Sequence, residues 1–333
     1  MNVAHRMRWV VPYAPRVRAA IIDNKSIVVR QVTDPVPGAG ELLVRVRTAG
    51  LNNADRMQIM GAYPAPAGSP ADIPGLELAG EVVGVGPGVY RFAVGDAVMG
   101  VVGGGALAEL AVVHERTVMP MPAQLSWEEA GGFPEAFTTA HDALATQCGL
   151  LSGERLCVHG GAGGVGIAAV QIGACIGATV VATVRSAELR PHVMALGAGI
   201  TAVDPDAFTQ AGPFDVVLEL VGVSNLAANL SALAMGGRIS VIGVGGTGGR
   251  GEIDLLALMG KRARIHGSTL RARPLEQKAD AARRVEAQVL PHVVAGRIRV
   301  PIVEVFGLDQ VALAYERFAA GAKFGKIVVS MGQ

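Results

Sequence analysis

Arg155-Leu156-Cys157-Val158-His159-Gly160-Gly161-Ala162-Gly163-Gly164-Val165-Gly166 decides the fold. An apolar, strand-like run enters the glycines, and the helix-forming run Ile167 to Cys175 leaves them. Gly161, Gly163 and Gly166 fill a G-x-G-x-x-G pattern. The first glycine permits a tight turn, the second lets backbone approach phosphate, and the third lets helix pack on strand. The N–H groups that open the helix, around Gly164 and Val165, then face the anion. A chain with 45 glycines makes chance matches, such as Gly84-Val85-Gly86-Pro87-Gly88 and Gly243-Val244-Gly245-Gly246. Only the 161–166 site has a strand before it and an uninterrupted helix after it. The expectation is a pyrophosphate seat, hence a nicotinamide-dependent oxidoreductase; the bland alternative is a turn between packed elements.

Downstream the pattern repeats. Strand-like runs at Thr179 to Val184, Ile200 to Val203, Val216 to Leu220, Arg238 to Gly243 and Arg264 to Ser268 alternate with helix-like Ala187 to Leu196 and Leu226 to Met235. This alternation predicts a doubly wound parallel sheet, a Rossmann-type α/β domain. Ligand then lies beyond the carboxyl ends of the strands, which gathers the glycines, Arg185, Gly222 and Val244 around one crevice.

The end of the second strand selects the cofactor. An acidic residue there would hold the ribose hydroxyls of NAD, but this chain reads Val184-Arg185-Ser186. A guanidinium and a hydroxyl suit a 2′-phosphate, with Arg190 as a second cation, so NADPH is expected. The competing readings are a solvated Arg185 and Arg190, and a Glu188 that reaches back toward a ribose.

Length and composition agree. The 333 residues suggest two domains, and half are apolar, enough for two cores. A net charge of +1 and 4% aromatics argue against nucleic acid as a partner, and no stretch resembles a membrane span. Cys148, Cys157 and Cys175 are far apart, as packing residues of a reduced, cytoplasmic protein would be, and without a C-x-x-C pair no four-cysteine zinc lobe can form. His141, His159, His192, His266 and His292 lack ligand spacing, and His159 is expected to hydrogen-bond locally. Residues 1–17 are expected to form a loose extension, neither a secretory signal nor an anchor, with Met7 as an alternative start.

The preceding region has different punctuation. Short strands are expected at Arg18 to Ile22, Ile27 to Val32, Glu41 to Thr48, Leu78 to Val85 and Ala106 to Val113, between Pro and Gly turns. Strand-like Ile302 to Phe306, amphipathic Leu308 to Ala319 and a final run Gly325 to Val329 could return to complete this all-β unit. The expected boundaries are 18–135 completed by 276–333, with the cofactor domain inserted at 136–275 and the active site in the cleft between them.

The order of motifs resembles the zinc-independent quinone oxidoreductases of the medium-chain dehydrogenase/reductase superfamily over nearly all of the chain after residue 17. The resemblance rests on Gly50-Leu51-Asn52-Asn53-Ala54-Asp55, Gly75-Leu76-Glu77-Leu78-Ala79-Gly80, Val94-Gly95-Asp96-Ala97-Val98, Pro134-Glu135-Ala136-Phe137-Thr138-Thr139-Ala140, the glycine motif and Gly325-Lys326-Ile327-Val328. Pro134-Glu135-Ala136 and Thr269 to Arg273 look like the stress-inducible quinone reductase subgroup. The resemblance implies a GroES-like first domain. Zinc-dependent relatives carry a cysteine where this chain has Asn52 and a histidine where it has Leu76, so it implies no metal. An acceptor that needs no Lewis acid is already electron-poor, as a quinone or a conjugated carbonyl is.

The same resemblance supplies the remaining candidates. Asn52 is the first choice for a polar group at the nicotinamide or substrate, with Asp55 and Tyr63 behind it; the alternatives are a turn residue, a helix cap and a rim aromatic. Thr138 is placed near the nicotinamide, Arg271 at the phosphates or as a clamp on the cleft, and Lys326 near the cofactor. Lys326 is the loosest of these, because Ala322-Lys323-Phe324 departs from the commoner asparagine-bearing version. Two other functions stay open: a reductase of enals, enones or enoyl thioesters, and a noncatalytic NADPH binder. A homodimer is expected, pairing through the Arg238 to Gly243 strand and the Gly245 to Gly251 loop.

Overall fold

Three sheets carry the chain in a computed structural model that describes residues 16–197, 199–244 and 249–332. The first part holds β1 (Arg16–Asp23), β2 (Ser26–Thr33), β3 (Glu41–Gly50), α1 (Asn53–Ile59), β4 (Glu77–Val85), β5 (Ala97–Val101), β6 (Leu110–His114) and β7 (Val118–Pro120). Two short helices, α2 (Trp127–Gly132) and α3 (Pro134–His141), lead across to β8 (Arg155–Val158) and α4 (Gly164–Ile176). Then come β9 (Thr179–Thr183), β10 (Ile200–Val203), β11 (Phe214–Glu219), β12 (Leu233–Val241) and β13 (Arg264–Gly267), and last β14 (Ile302–Gly307) and β15 (Lys326–Ser330).

The expected alternation is realised as a six-stranded sheet of order β10-β9-β8-β11-β12-β13. All its pairings are parallel. Its inner strands β8, β9 and β11 are buried on both faces, which explains why they read as continuous apolar runs rather than alternating ones, whereas the edge strands β10 and β13 stay partly exposed. Leu156, Val158, Val180, Ala182, Val216 and Leu218 join one core with α3 and α4, where Phe133 and Phe137 stack with centroids 4.3 Å apart. Cys157, Val181, Val217 and Ile239 face a second core with Phe208 and Phe214.

The other large sheet has the order β14-β15-β3-β4-β5-β7, with β6 on β3. The returning strand β15 runs antiparallel to β3, pairing Val328 with Gly50 and Val329 with Ala49. Residues distant in sequence therefore share one core, Val44, Leu51 and Leu78 with Phe306, Ala314 and Ile327.

Four expectations need correction. Arg16 and Val17 belong to β1 and not to an extension; residues 1–15 lie outside the described residues. The strand expected from Ala106 begins only at Leu110, because Leu107 turns its carbonyl to Ala20 N–H instead of into a ladder. The helix expected over Leu226 to Met235 stops at Ala232, where Leu233 takes extended angles and opens β12. Finally, β12 is interior: β13 covers it, so Arg264–Gly267 and Ile200–Val203 are the edges of the parallel sheet. The loop expected to pair alongside it lies partly outside the described residues.

Candidate active site between the two sheets

The glycine loop shows why each glycine is there. Gly160 has φ +71°, and its carbonyl accepts from Gly163 N–H at 3.1 Å. A Cβ on Gly161 would sit 2.7 Å from Ala182 Cβ on β9, and one on Gly166 would sit 2.2 Å from Gly160 O, so neither position tolerates a side chain. Gly163 differs. A Cβ there would meet only Gly160 O, at 3.5 Å, so this glycine leaves open space at the point where α4 begins. Open space over helix-opening N–H groups, beside Gly164 and Val165, fits a dinucleotide pyrophosphate.

A buried polar network fixes the loop from beneath. His159 Nε2 lies 2.6 Å from Asn229 Oδ1, and Asn229 Nδ2 donates to Glu219 Oε2 at 2.7 Å. Glu219 Oε1 accepts from Val221 and Gly222 N–H, which sets Gly222 at φ +137°. Thr183 Oγ1 accepts from Gly160 N–H. Burial lowers the His159 pKa, so the imidazole stays neutral and local, as expected of it.

At the end of β9 the two arginines part ways. Arg185 is exposed, and no hydrogen bond or ion pair engages it among the described residues. Ser186 beside it is half-buried and opens a short 3₁₀ turn. Arg190 is not the free second cation expected. Its guanidinium donates to Val184 O at 3.1 Å and to Asp204 at 2.6 Å, tying the strand end to the loop after β10. Val244 is exposed, next to residues outside the described ones.

Where the first sheet meets this loop, a charged cluster closes the floor. Lys326 Nζ, on β15, lies 2.5 Å from Glu77 Oε1, 2.8 Å from Asn52 Oδ1 and 2.9 Å from Leu51 O. Its three N–H donors are thus all used. Asn52 Nδ2 in turn donates to Glu77 Oε1 at 2.9 Å, and Glu77 Oε2 accepts from Glu135 N–H at 2.7 Å. The same lysine borders the glycine loop, since a Cβ on Gly164 would lie 2.8 Å from Lys326 Cδ and 3.8 Å from Ala136 Cβ. Thr138, on α3 behind it, is buried with its hydroxyl unpartnered.

These contacts refine the expected roles. Asn52 sits at the cleft, but its amide is committed on both sides, so it orients Lys326 and Glu77. Asp55 is wholly buried and accepts from Asn52 N–H at 2.7 Å, the helix-cap alternative rather than a group at the substrate. Burial foremost, with Glu77, raises its pKa to about 7, against the Asn52 hydrogen bond and Lys326. Arg271 does not reach for phosphate: it donates to Gly103 O at 2.9 Å, to Tyr63 O at 3.1 Å and to Gln58 Oε1. It is the cleft clamp, with its guanidinium 5.3 Å from the Tyr63 ring centroid. Tyr63 is half-buried there, and burial raises its phenol pKa. Sequence reasoning gave Glu135 no role, although its place in Pro134-Glu135-Ala136 marked it. Its half-buried carboxyl is pushed up to about 8 by burial, Glu77 and Asp55.

Residues 38–123 match the alcohol dehydrogenase GroES-like domain, and residues 199–329 match the zinc-binding dehydrogenase family. The quinone oxidoreductase of Rattus norvegicus is 30% identical over 309 residues, 90% of this chain and 91% of that protein. The chain belongs to the medium-chain dehydrogenase/reductase superfamily. An alcohol dehydrogenase superfamily protein from Novosphingobium aromaticivorans has the same fold, with TM-score 0.83, 29% identity, and coverage of 96% of this chain and 100% of that one. Polyketide synthase GfsB of Streptomyces halstedii is 41% identical over 208 residues, 61% of this chain. The chain spans only 4% of GfsB, and 13% of the spectinabilin polyketide synthase system protein NorB of Streptomyces orinoci, to which it is 34% identical over 303 residues, 88% of its own length. Medium-chain dehydrogenase/reductase enzymes are oxidoreductases that bind NAD or NADP. Among the described residues of this superfamily member, no group of three or more His, Cys, Asp or Glu is placed to hold a metal ion, and no helix is long and apolar enough to cross a membrane.

Proposed function

We propose that this chain is an NADPH-dependent reductase of quinones and related conjugated carbonyls that works without a metal. The observation that carries this reading is the Asn52–Glu77–Lys326 cluster. Where zinc-dependent relatives carry a cysteine, Asn52 accepts from a buried ammonium that Glu77 neutralises. Such a site is neutralised and fully hydrogen-bonded, with no open coordination position for a carbonyl, so it favours acceptors that are already electron-poor.

NADPH would supply the hydride. Gly161, Gly163, Gly164, Val165 and Gly166 would hold its pyrophosphate, Arg185 with Ser186 its 2′-phosphate, and Gly222 and Val244 the crevice wall. Thr138 would offer its unpartnered hydroxyl toward the nicotinamide, and Lys326 would hold that end of the cleft against the glycine loop. Tyr63, braced by Arg271, would face the acceptor ring. The division into 18–135 with 276–333 and an inserted 136–275, a homodimer and a cytoplasmic location belong to the same reading.

An enoyl-thioester reductase is the second reading. It is favoured by the 41% identity to a stretch of a polyketide synthase. NADPH oxidation with a panel of para-quinones, ortho-quinones, enals and enoyl thioesters separates the two, with NADH and a chelator as controls. The expected result is quinone turnover that the chelator does not alter. Turnover confined to thioesters would favour the second reading, and tight NADPH binding without any turnover would favour a noncatalytic binder.

A further inference from the structure

Hydride delivered to a quinone or an enone leaves an anion, and reduction is complete only when a proton follows. We propose that the carboxyl group of Glu135 is the acid that delivers this proton. The assignment rests on the reductase reading above.

Glu135 is the second residue of α3, after Pro134. Its backbone is pinned by the bond from its N–H to Glu77 Oε2. Its carboxyl, in contrast, makes no hydrogen bond to any described residue. Lys326 is occupied by three acceptors, Asn52 by Lys326 and Glu77, and Arg271 by Gln58, Tyr63 and Gly103, while Asp55 accepts from Asn52 N–H through one oxygen and buries the other without a partner. Among the acids, Asp55 and Glu77 are wholly buried, whereas Glu135 is only half-buried. A donor needs that position, because it must meet the acceptor on one side and be reloaded from water.

The groups that face Glu135 come from every element around it. Glu77 on β4 and Asp55 on α1 favour its neutral form, while Lys326 on β15 and the Arg271 clamp oppose them. The Tyr63 phenol lies within reach of its charge across the cleft. Burial foremost, with the two carboxylates, pushes the Glu135 carboxyl up toward about 8, which favours its protonated form at neutral pH. That suits a general acid, whose best pKa lies near the working pH. Tyr63 is the competing donor, but burial raises its phenol further from that range.

The step balances. The hydride brings two electrons and one hydrogen to the acceptor; the new O–H bond of the hydroquinone, or C–H bond of the saturated carbonyl, forms as the Glu135 O–H bond breaks. The resulting carboxylate recovers its proton from water.

Glu135→Gln keeps the shape and removes the proton. Expected is a fall in kcat on the order of 10²- to 10⁴-fold, with NADPH affinity by fluorescence titration unchanged and partial rescue in Glu135→Asp. Wild-type kcat should decline above about pH 8, and that limb should vanish in Glu135→Gln. Independently of turnover, infrared difference spectra of cofactor-free wild type minus Glu135→Gln should show a protonated carboxyl band at about pH 7 that disappears on going alkaline. Wild-type kcat with an intact alkaline limb in Glu135→Gln, or no such band, overturns the assignment alone. Failure of the wild type to reduce any quinone, enal or enoyl thioester overturns the reductase reading and this assignment together.

Discussion

Lys326 Nζ stands 2.5 Å from Glu77 Oε1, an ion pair between the last strand and the middle of the first sheet with almost no exposure at either end. A buried pair of this kind is weak evidence for stability, because the desolvation of both ions offsets their attraction. Its removal from one side is another matter. In Lys326→Met the Glu77 carboxylate loses its counter-ion while remaining fully buried, and the fold should lose about 3 to 5 kcal/mol. Urea denaturation measures the loss. The double change Lys326→Met with Glu77→Gln should recover part of it, and a single-variant loss below about 1 kcal/mol would refute the pairing's role.

The glycine loop makes a contrasting pair of variants informative. Gly166→Ala forces a methyl to 2.2 Å from Gly160 O and should unfold the loop, lowering the melting temperature and abolishing cofactor binding together. Gly163→Ala meets only Gly160 O at 3.5 Å, so its melting temperature should stay near wild type. Its NADPH affinity should nonetheless drop by about tenfold or more, roughly 1.4 kcal/mol per decade. Calorimetry with titration of NADPH separates these effects; unchanged affinity in Gly163→Ala would show that phosphate does not approach there.

Arg185 is exposed and unpaired among the described residues, so Arg185→Asp should change stability by no more than about 0.5 kcal/mol. Its effect should appear in cofactor choice. The ratio of kcat/KM for NADPH over NADH should fall by about tenfold or more, since a charge-assisted contact to the 2′-phosphate becomes a repulsion. An unaltered ratio would discredit the 2′-phosphate assignment. Arg190→Gln, whose guanidinium is spent on Asp204, should leave the ratio unchanged.

Asp55 supplies a pH test. Its pKa is raised from 3.8 to about 7 in the folded protein. Between those values the folded state holds a proton that the unfolded state has released, so the stability contributed by Asp55 is present in acid and is lost as pH rises toward 7. Asp55→Asn can still accept from Asn52 N–H and has nothing to ionise. Denaturation at about pH 5 and about pH 8 should show a shallower decline for the variant than for the wild type. Equal slopes would mean that the carboxyl is not the titrating group.

Much of the fold was legible in the sequence because two different periodicities mark its two halves. Continuous apolar runs such as Leu156 to Val158 and Val216 to Leu218 report strands buried on both faces, and the first sheet announces itself through Pro and Gly punctuation. Order within the sheet was less legible: nothing in Arg238 to Gly243 tells whether Arg264 to Gly267 will cover it. In the site, the glycines could be read because each obeys a local steric demand. Arg190 and Arg271 could not, since a guanidinium beside a cleft looks alike whether it awaits phosphate or already holds Asp204 or Gln58. Glu135 escaped for a related reason: its raised pKa comes from burial first and then from Glu77 and Asp55, which only the folded chain brings near it.

The seating of β15 between β14 and β3 has a consequence for biosynthesis. Thr48 to Gly50 leave the ribosome long before Val328 to Ser330, the strand they must hydrogen-bond. Until that late segment arrives, part of β3 offers bare amides to any passing chain, and Glu77 waits without its ammonium. Until residues 326–330 emerge, a nascent polypeptide therefore carries an incomplete cleft floor, and a chaperone that shields the early sheet would act on this interval.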